Sequence, residues 1–316
     1  MNLKYFYFGS SPFSALILEK LIEKETPPLL VITQSPKLSH RKKIGFTLVH
    51  QSALKNKIKV LAPEKLDQEL LEKLKNFQAD FALLCGYGKI IPPALLNLLP
   101  YGFLNLHPSL LPKYRGATPI QSVILNGEKE TGITLFKMDE ELDHGPIISQ
   151  EKINLNEKIT TQELEKILAE KGVNLFLTSI SDYLENKIIL IPQDHKEATY
   201  CFKLKPEDEK IDFKKTLIEI DRKIRALNPS PGVYAEILDK NNQKLRIKIL
   251  KGYPVFDPDF SKDIKAGTIL EKDNRLIVKT KEGYYVLELI KPASKKEMKA
   301  SDFLKGNQWL KGKAFL

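Results

Sequence analysis

The sequence predicts an α/β protein: a doubly wound, mainly parallel sheet in its first part, followed by a smaller β-rich domain. Three observations carry this. Short apolar runs at Leu3–Gly9, 29–34, 79–88 and 101–107 are separated by amphipathic helical patterns, the alternation of a parallel sheet wrapped by helices. After residue 131 the pattern shifts to one suited to antiparallel strands. Beyond residue 207, β patterns recur between turn dipeptides with little helix among them. A chain of 316 residues has room for two such domains, and 42% hydrophobic residues with 15 Phe and 11 Tyr mark it as globular.

Taken in order, "LKYFYFG" (Leu3–Gly9) reads as a buried strand. "SPFSALILEKLIEK" follows as a helix, with Ser11 as N-cap and Pro12 at its first position. "LLVITQ" (29–34) is the second strand, "PEKLDQELLEKLKNF" (63–77) a helix, "ADFALLCGYG" (79–88) the third strand and "YGFLNLH" (101–107) the fourth. In such a sheet, ligands sit beyond the C-terminal ends of the strands. Residues 131–155 alternate as antiparallel strands around a turn at Asp143–Pro146, and 160–186 form a long helix with Thr160 and Glu163 at capping-box spacing. The expected division is a catalytic domain over 1–189, a polar linker over 190–206 and a second domain over 207–316. The second domain begins with a short helix ("KKTLIEIDRKIRAL") and continues as a small β-barrel or sandwich with turns at Asn241–Asn242 and Glu282–Gly283.

Several classes are excluded. Two cysteines, Cys85 and Cys201, cannot build a disulfide framework or a paired-cysteine metal site. The first residues lack a long apolar core and a cleavage site, and no run approaches the roughly 18 apolar residues of a membrane span; the expectation is a cytoplasmic protein with no membrane partner. The net charge of +10 is uneven: residues 207–316 carry 24 Lys and Arg against 17 Asp and Glu, a net +7, and residues 1–206 carry 26 against 23, a net +3. A basic second domain suits a polyanionic partner, and a Lys-rich solvated surface is the competing reading.

The first strand ends in "GSSPFS", neither a dinucleotide fingerprint nor a phosphate loop. There is no H-E-x-x-H or clustered His for a metal, and no G-x-S-x-G to make Ser109 a nucleophile. What remains is Asn105, His107 and Asp143. Asn105 and His107 lie two apart in "FLNLH", so a strand puts both on one face with Leu104 and Leu106 on the other. Histidine is a general acid/base or oxyanion partner near neutral pH, and an amide N–H can hold an oxyanion without changing charge. Asp143, in "DEELDHG", could orient the imidazole or hold a proton. The set suits attack on a carbonyl by a nucleophile that the substrate brings. The alternative is that strand-end Asn and His satisfy loop backbone groups, and spacing alone leaves both open.

"NLHPSLLPKYRGATPIQ" resembles the N-x-H-x-S-L-L-P-x-x-R-G signature of the 10-formyltetrahydrofolate-dependent formyltransferases, and "MDEELDHG" resembles their M-D-x-G-L-D-x-G turn. "FGSSPFSALILEKL", "GYGKIIP", "ATYCFKL" and "KIRALNPSPGVYAEI" match as well, so the resemblance covers nearly the whole chain. It implies a Rossmann-like catalytic domain with a C-terminal OB-like β-barrel that binds tRNA, and a monomer without metal. It maps the catalytic triad onto Asn105, His107 and Asp143. The donor-binding segments map onto Tyr87, Gly88, Ile90, Ile91 and Pro92 near the pterin, and onto Ser109, Leu110, Leu111 and Pro112. Arg115 and Gly116 complete the signature, Gly116 with a structural role.

The two-domain match implies that 10-formyltetrahydrofolate is the formyl donor and the α-amine of initiator methionyl-tRNA, held by its acceptor stem, the acceptor. The runner-up is a sugar-nucleotide N-formyltransferase with the same donor and triad. Glu141, His144 and Pro146 depart from the usual Gly, Thr and Asp of the turn. "TQSPKLSHRKKIGFT" (33–47) resembles the family's basic loop that enters the acceptor stem. A gapless alignment sets its key Arg against His40 and a one-residue shift against Arg41. Arg41 is favoured because only a guanidinium keeps an obligatory charge and a donor fork; Lys42 and Lys43 add phosphate contact.

Overall fold

The strand Tyr5–Gly9 lies inside a seven-stranded sheet whose order across is Ile147–Asn154, Glu130–Lys137, Phe103–His107, Phe81–Cys85, Tyr5–Gly9, Leu30–Ile32, Val60–Leu61. The structure, a computed structural model, describes residues 3–38, 44–260 and 263–316. The chain divides into two compact units, one of Met1–Ile120, Lys129–Leu155 and Glu163–Phe202, the other of Gln121–Glu128, Asn156–Gln162 and Lys203–Leu316. Among the described residues no helix is long and apolar enough to cross a membrane.

In the first unit, the strands from Val60–Leu61 to Phe103–His107 run parallel, and the last two are antiparallel additions. The parallel strands lie in the order third, second, first, fourth, fifth. The direction of winding therefore reverses between Tyr5–Gly9 and Phe81–Cys85, where a doubly wound sheet opens a crevice at its carboxyl edge. The pairs Gly9 with Cys85 and Leu84 with Asn105 set three strand ends side by side. Ser10 and Ser11 both donate their N–H to the Gly86 carbonyl, at 3.2 and 3.0 Å, so the first and fourth strand-end loops meet.

Burial on two faces explains the unbroken apolar reading of these strands. Phe6, Phe8, Ala82, Leu84 and Phe103 pack with Leu70 and Leu74 on one face. On the other, Tyr5 stacks on Phe81 at 5.3 Å, and Phe176 of the helix Thr161–Leu184 lies 6.0 Å from both rings. The tyrosine hydroxyls are satisfied by main-chain carbonyls, Tyr5 by Thr26 and Tyr7 by Ser14, each at 2.6 Å. The helix Pro12–Glu23 starts as its sequence indicates, with Ser11 accepting the Ser14 N–H and Pro12 at its first position.

Two elements differ from expectation. The helix expected over 63–77 is Gln68–Lys75, because Asp67 caps it by accepting the Leu70 N–H at 3.3 Å. The stretch 190–206, expected as a linker, is tied to the first unit through its first part. Ile191 exchanges N–H···O bonds with Ile147 at 2.8 and 2.9 Å, and Tyr200–Cys201 pairs in parallel with Arg115–Gly116.

The second unit is an antiparallel sheet in the order Val233–Leu238, Lys244–Phe256, Gly283–Pro292, Arg275–Thr280, Ile269–Lys272, with Met298–Lys299 pairing beside Gly283–Pro292. The C-terminal segment bridges its two edge regions: Ile269 N–H donates to Lys313 and Phe315 N–H to Gly267, and Leu316 N–H donates to Glu236 at 2.8 Å. Thr216 and Glu219 form a capping box at the head of the helix Leu217–Leu227.

Phe8 is fully buried, with its ring 5.1 Å from Phe103 and 5.4 Å from Tyr87. Phe8→Ala is expected to cost the first unit about 3–5 kcal/mol, read as a lower denaturant midpoint for that unit; an unmoved midpoint refutes this account of the core.

Candidate active site

The strand Phe103–His107 is buried along its length, and its pleat sends Phe103, Asn105 and His107 to one face. Phe103 packs on Phe8 in the core; Asn105 and His107 follow it toward the carboxyl edge, 6% and 4% exposed. Both nitrogens of His107 are engaged. Nε2 lies 2.8 Å from the Tyr114 carbonyl oxygen. A carbonyl only accepts, so Nε2 carries the proton. Nδ1 faces Asp143 Oδ2 at 3.6 Å. His107 thus meets both readings of its position: it holds a loop carbonyl with one nitrogen and faces a carboxylate with the other.

Asp143 reaches this face from the turn between the two antiparallel strands. Its Oδ2 accepts the Gly116 N–H at 2.7 Å and its Oδ1 accepts from Asn105 Nδ2 at 3.4 Å. The three candidate catalytic residues are therefore brought together. Asp143 is in the left-handed region, with φ 47°, a conformation uncommon outside glycine. Nearby glycines leave no room for a side chain. A Cβ on Gly145 would stand 1.9 Å from the Lys137 carbonyl oxygen, and one on Gly116, at φ +112°, 2.4 Å from that of Cys201.

The loop after the strand is fixed by hydrogen bonds. Ser109 Oγ donates to the Lys113 carbonyl at 2.7 Å. The Thr134 hydroxyl donates to the Ser109 carbonyl at 2.6 Å and accepts the Leu111 N–H at 3.2 Å, while Gln150 Nε2 donates to Thr134 and to the Leu111 carbonyl. Leu111 is buried against Phe136 and Ile147; Leu110 packs over Gly132. The Pro112 carbonyl accepts the Thr199 N–H at 3.3 Å.

The loop after Phe81–Cys85 is held by Gln34, whose Nε2 donates to the Tyr87 carbonyl at 2.7 Å. Gly88 is at φ 78°. Tyr87 and Ile91 belong to the core, Ile90 is 89% exposed, and Pro92 precedes the short helix Pro93–Leu96. The buried Tyr87 hydroxyl has no hydrogen-bond partner, and burial pushes its pKa up to about 12, so it remains a neutral donor. Met138 packs against both the cluster containing Tyr87 and that containing Leu111. The two predicted donor-binding loops thus share Met138 as a packing neighbour.

Arg41, Lys42, Lys43 and the alternative His40 lie outside the described residues. Of the departures in the turn, Glu141 has a 74% exposed side chain. His144 holds Asp139 Oδ2 through Nδ1 at 2.6 Å and stacks on His195, with ring centres 4.0 Å apart. Pro146 accepts the Lys137 N–H through its carbonyl at 3.0 Å. Thr134, Gln150 and Gln193 are supporting residues that the motifs do not mark. Thr134, a polar residue within the buried run "ITLF", carries a local signal of the kind that marks Asn105; Gln193 carries none.

Residues 1–180 match the family model described as formyl transferase and residues 203–308 that of the formyl transferase C-terminal domain. The chain is 38% identical over 316 residues to the methionyl-tRNA formyltransferase of Carboxydothermus hydrogenoformans, covering 99% of each chain. It is 37% identical over 323 residues to that of Dictyoglomus thermophilum, covering 99% of this chain and 100% of the relative. Among solved structures, HypX from Aquifex aeolicus in complex with tetrahydrofolic acid shares the fold with a TM-score of 0.69 at 16% identity; the match covers 99% of this chain and 48% of HypX, so the chain spans about half of that protein's length. The Helicobacter canadensis N-formyltransferase in complex with folinic acid and dTDP-3-aminofucose shares it with a TM-score of 0.61 at 24% identity, over 90% of this chain and 98% of that one.

Gly116→Ala forces a Cβ against a main-chain oxygen at a backbone conformation hostile to side chains. It is expected to destabilise the first unit by about 1–3 kcal/mol, read as a lower thermal midpoint; a wild-type midpoint refutes the close approach.

Proposed function

The chain belongs to the formyl transferase family, and from that premise we propose that it transfers the formyl group of 10-formyltetrahydrofolate to the α-amine of initiator methionyl-tRNA, the step that prepares the charged tRNA for translation initiation. The observation that carries the choice of acceptor is the similarity to methionyl-tRNA formyltransferases over 99% of the chain, both domains included.

The chemistry follows from the residues at the strand end. The donor supplies a formyl carbonyl activated by its nitrogen substituent. The attacking amine must be neutral, and the neighbouring ester favours that by lowering its pKa below that of a free α-amine. As the N–C bond forms, negative charge develops on the formyl oxygen. Asn105 meets it with an amide N–H: Nδ2 has two, and the bond to Asp143 occupies one. His107, with Nε2–H on the Tyr114 carbonyl, has Nδ1 left to gain or give a proton beside the Asp143 carboxylate. The Tyr114 carbonyl holds the ring in that tautomer, and the Asp143 carboxylate faces the nitrogen that receives the proton. The amine's proton passes to this pair and is available to the departing folate nitrogen, so charge is balanced without a covalent enzyme intermediate.

Binding is assigned accordingly. The pterin and formyl group are assigned to the segments of Tyr87, Gly88, Ile90, Ile91 and Pro92 and of Ser109, Leu110, Leu111 and Pro112, with the left-handed Gly88 shaping the first of them. Arg41, Lys42 and Lys43 contact the acceptor stem, and the basic second domain, net +7 over 207–316, contacts further phosphates.

His107→Ala is expected to lower kcat for formyl-methionyl-tRNA synthesis by about 100-fold or more; near-wild-type turnover sinks the catalytic scheme. The assay is run with a UDP-amino-sugar in parallel, and transfer to the sugar instead of the tRNA overturns the choice of acceptor. Arg41→Ala is expected to raise KM for the tRNA and make its salt dependence shallower by about one phosphate's share, ~0.7–0.9 in log–log slope. KM for the folate should be unchanged, and a folate defect counts against the loop assignment.

A further inference from the structure

Gln193 lies in a polar stretch with no apolar pattern, yet its side chain is 5% exposed and its amide is fully used. Nε2 donates to the main-chain carbonyl of Asp143 at 3.0 Å and to that of Gly145 at 2.7 Å. Oε1 accepts from Arg115 Nε at 3.2 Å and from Arg115 Nη2 at 2.7 Å. An amide offers two N–H donors and an oxygen with two lone pairs, so all four capacities are met. Arg115 is 2% exposed and also reaches His195 Nδ1 through Nη2 at 2.8 Å. Arginine only donates, so that His195 nitrogen carries no proton.

The two carbonyls bracket His144, so Gln193 clamps the backbone of the turn that presents Asp143. That turn has a reason to need a clamp. Asp143 is at φ 47°, and a residue held there persists only where its surroundings over-determine it. A second contact ties the same two segments: the rings of His144 and His195 stack at an interplanar angle of 6°. Arg115 precedes Gly116, whose N–H holds the Asp143 carboxylate. One side chain therefore joins the residue before the carboxylate's anchor to the turn that carries the carboxylate.

We propose that Gln193 is a positioning residue for formyl transfer, which fixes the Asp143 carboxylate against His107 and Asn105 by clamping the Asp143 and Gly145 carbonyls. The proposal rests on the function assigned above. The charged and titratable groups joined by the clamp are Arg115 with His195 on one side and the turn of Asp143 and His144 on the other.

Two variants separate positioning from packing. Gln193→Glu keeps an acceptor for Arg115 and makes that pair charge-assisted, but it loses both N–H donors and sets a carboxylate against two carbonyl oxygens. Gln193→Met keeps the approximate volume and loses all four bonds. If the clamp positions Asp143, Q193E lowers kcat by about 100-fold, the scale of a 1 Å misplacement, and by at least as much as Q193M. KM for folate and tRNA stays near wild type, and the Q193E thermal midpoint is at or above that of Q193M. Wild-type kcat in Q193E, a defect in KM alone, or kcat losses that follow the order of the thermal midpoints overturn the proposal. So does failure of both variants to fold, since Gln193 is then a residue of the fold. Wild-type protein in the same assay keeps the two readings apart: no transfer by wild type defeats the assigned function, whereas active wild type with an unimpaired Q193E defeats only the clamp.

Discussion

The Asp143 carboxylate is bound at 2.7 Å by the Gly116 N–H and, more loosely, by Asn105, with His107 Nδ1 at 3.6 Å; the rest of the site depends on where that carboxylate stands. Because His107 gives its Nε2–H to the Tyr114 carbonyl, the ring's orientation is set from one side by backbone and from the other by this single side chain. Move the carboxylate and Asn105 loses its partner, His107 Nδ1 loses the group it faces, and the Gly116 N–H loses its acceptor. Glycine is required at 116 twice over, by its φ of +112° and by the 2.4 Å that a Cβ would leave to the Cys201 oxygen.

The sheet makes such a constellation affordable. Asn105 and His107 continue a face whose earlier member, Phe103, is locked into the aromatic core with Phe8, so their rotation about the strand is fixed by packing and not by the polar network itself. The antiparallel strand Glu130–Lys137 lies beside them, with His107 opposite Thr134 and Asn105 opposite Phe136. The Thr134 hydroxyl then sets the loop 109–111, and the chain leaving this strand returns as the turn that brings Asp143. The proposed catalytic groups and donor loop are thus positioned by the same strand pair.

What the sequence makes legible is what has a local period or a local grammar. Asn105 and His107 stand out because two polar residues at a spacing of two interrupt a buried run; Ser11 and Pro12 announce a helix start that the structure contains. Asp143 has no such period: it is marked only as the carboxylate of a Gly-ending turn, and its place beside His107 is what the resemblance implies. The strand Val60–Leu61 is too short to show a period, and the helix over 63–77 is read too long because apolar spacing outweighs the cap at Asp67. The stretch 190–206 is polar, which suggests a tether, yet the side chains of Gln193, His195 and Thr199 within it bond distant parts of the chain. Gln193 meets Arg115 and Asp143 across separations of 78 and 50 residues, and no local pattern encodes a meeting at that range.

The same physics explains why the acceptor is the harder question to read from the fold. The strand-end constellation needs only a neutral amine and a formyl donor, so one sheet edge serves any acceptor that presents such an amine, and a shared architecture is silent on which one arrives. Under the function proposed above, selection is assigned to positive charge in the sequence, at Arg41, Lys42 and Lys43 and over 207–316. These are the features expected for a large polyanion and of little use for a small sugar nucleotide, since phosphate contacts accumulate with the length of backbone engaged. On the proposed function, chemistry and acceptor choice accordingly lie in different parts of the sequence, the first in buried residues with fixed partners and the second in excess basic residues.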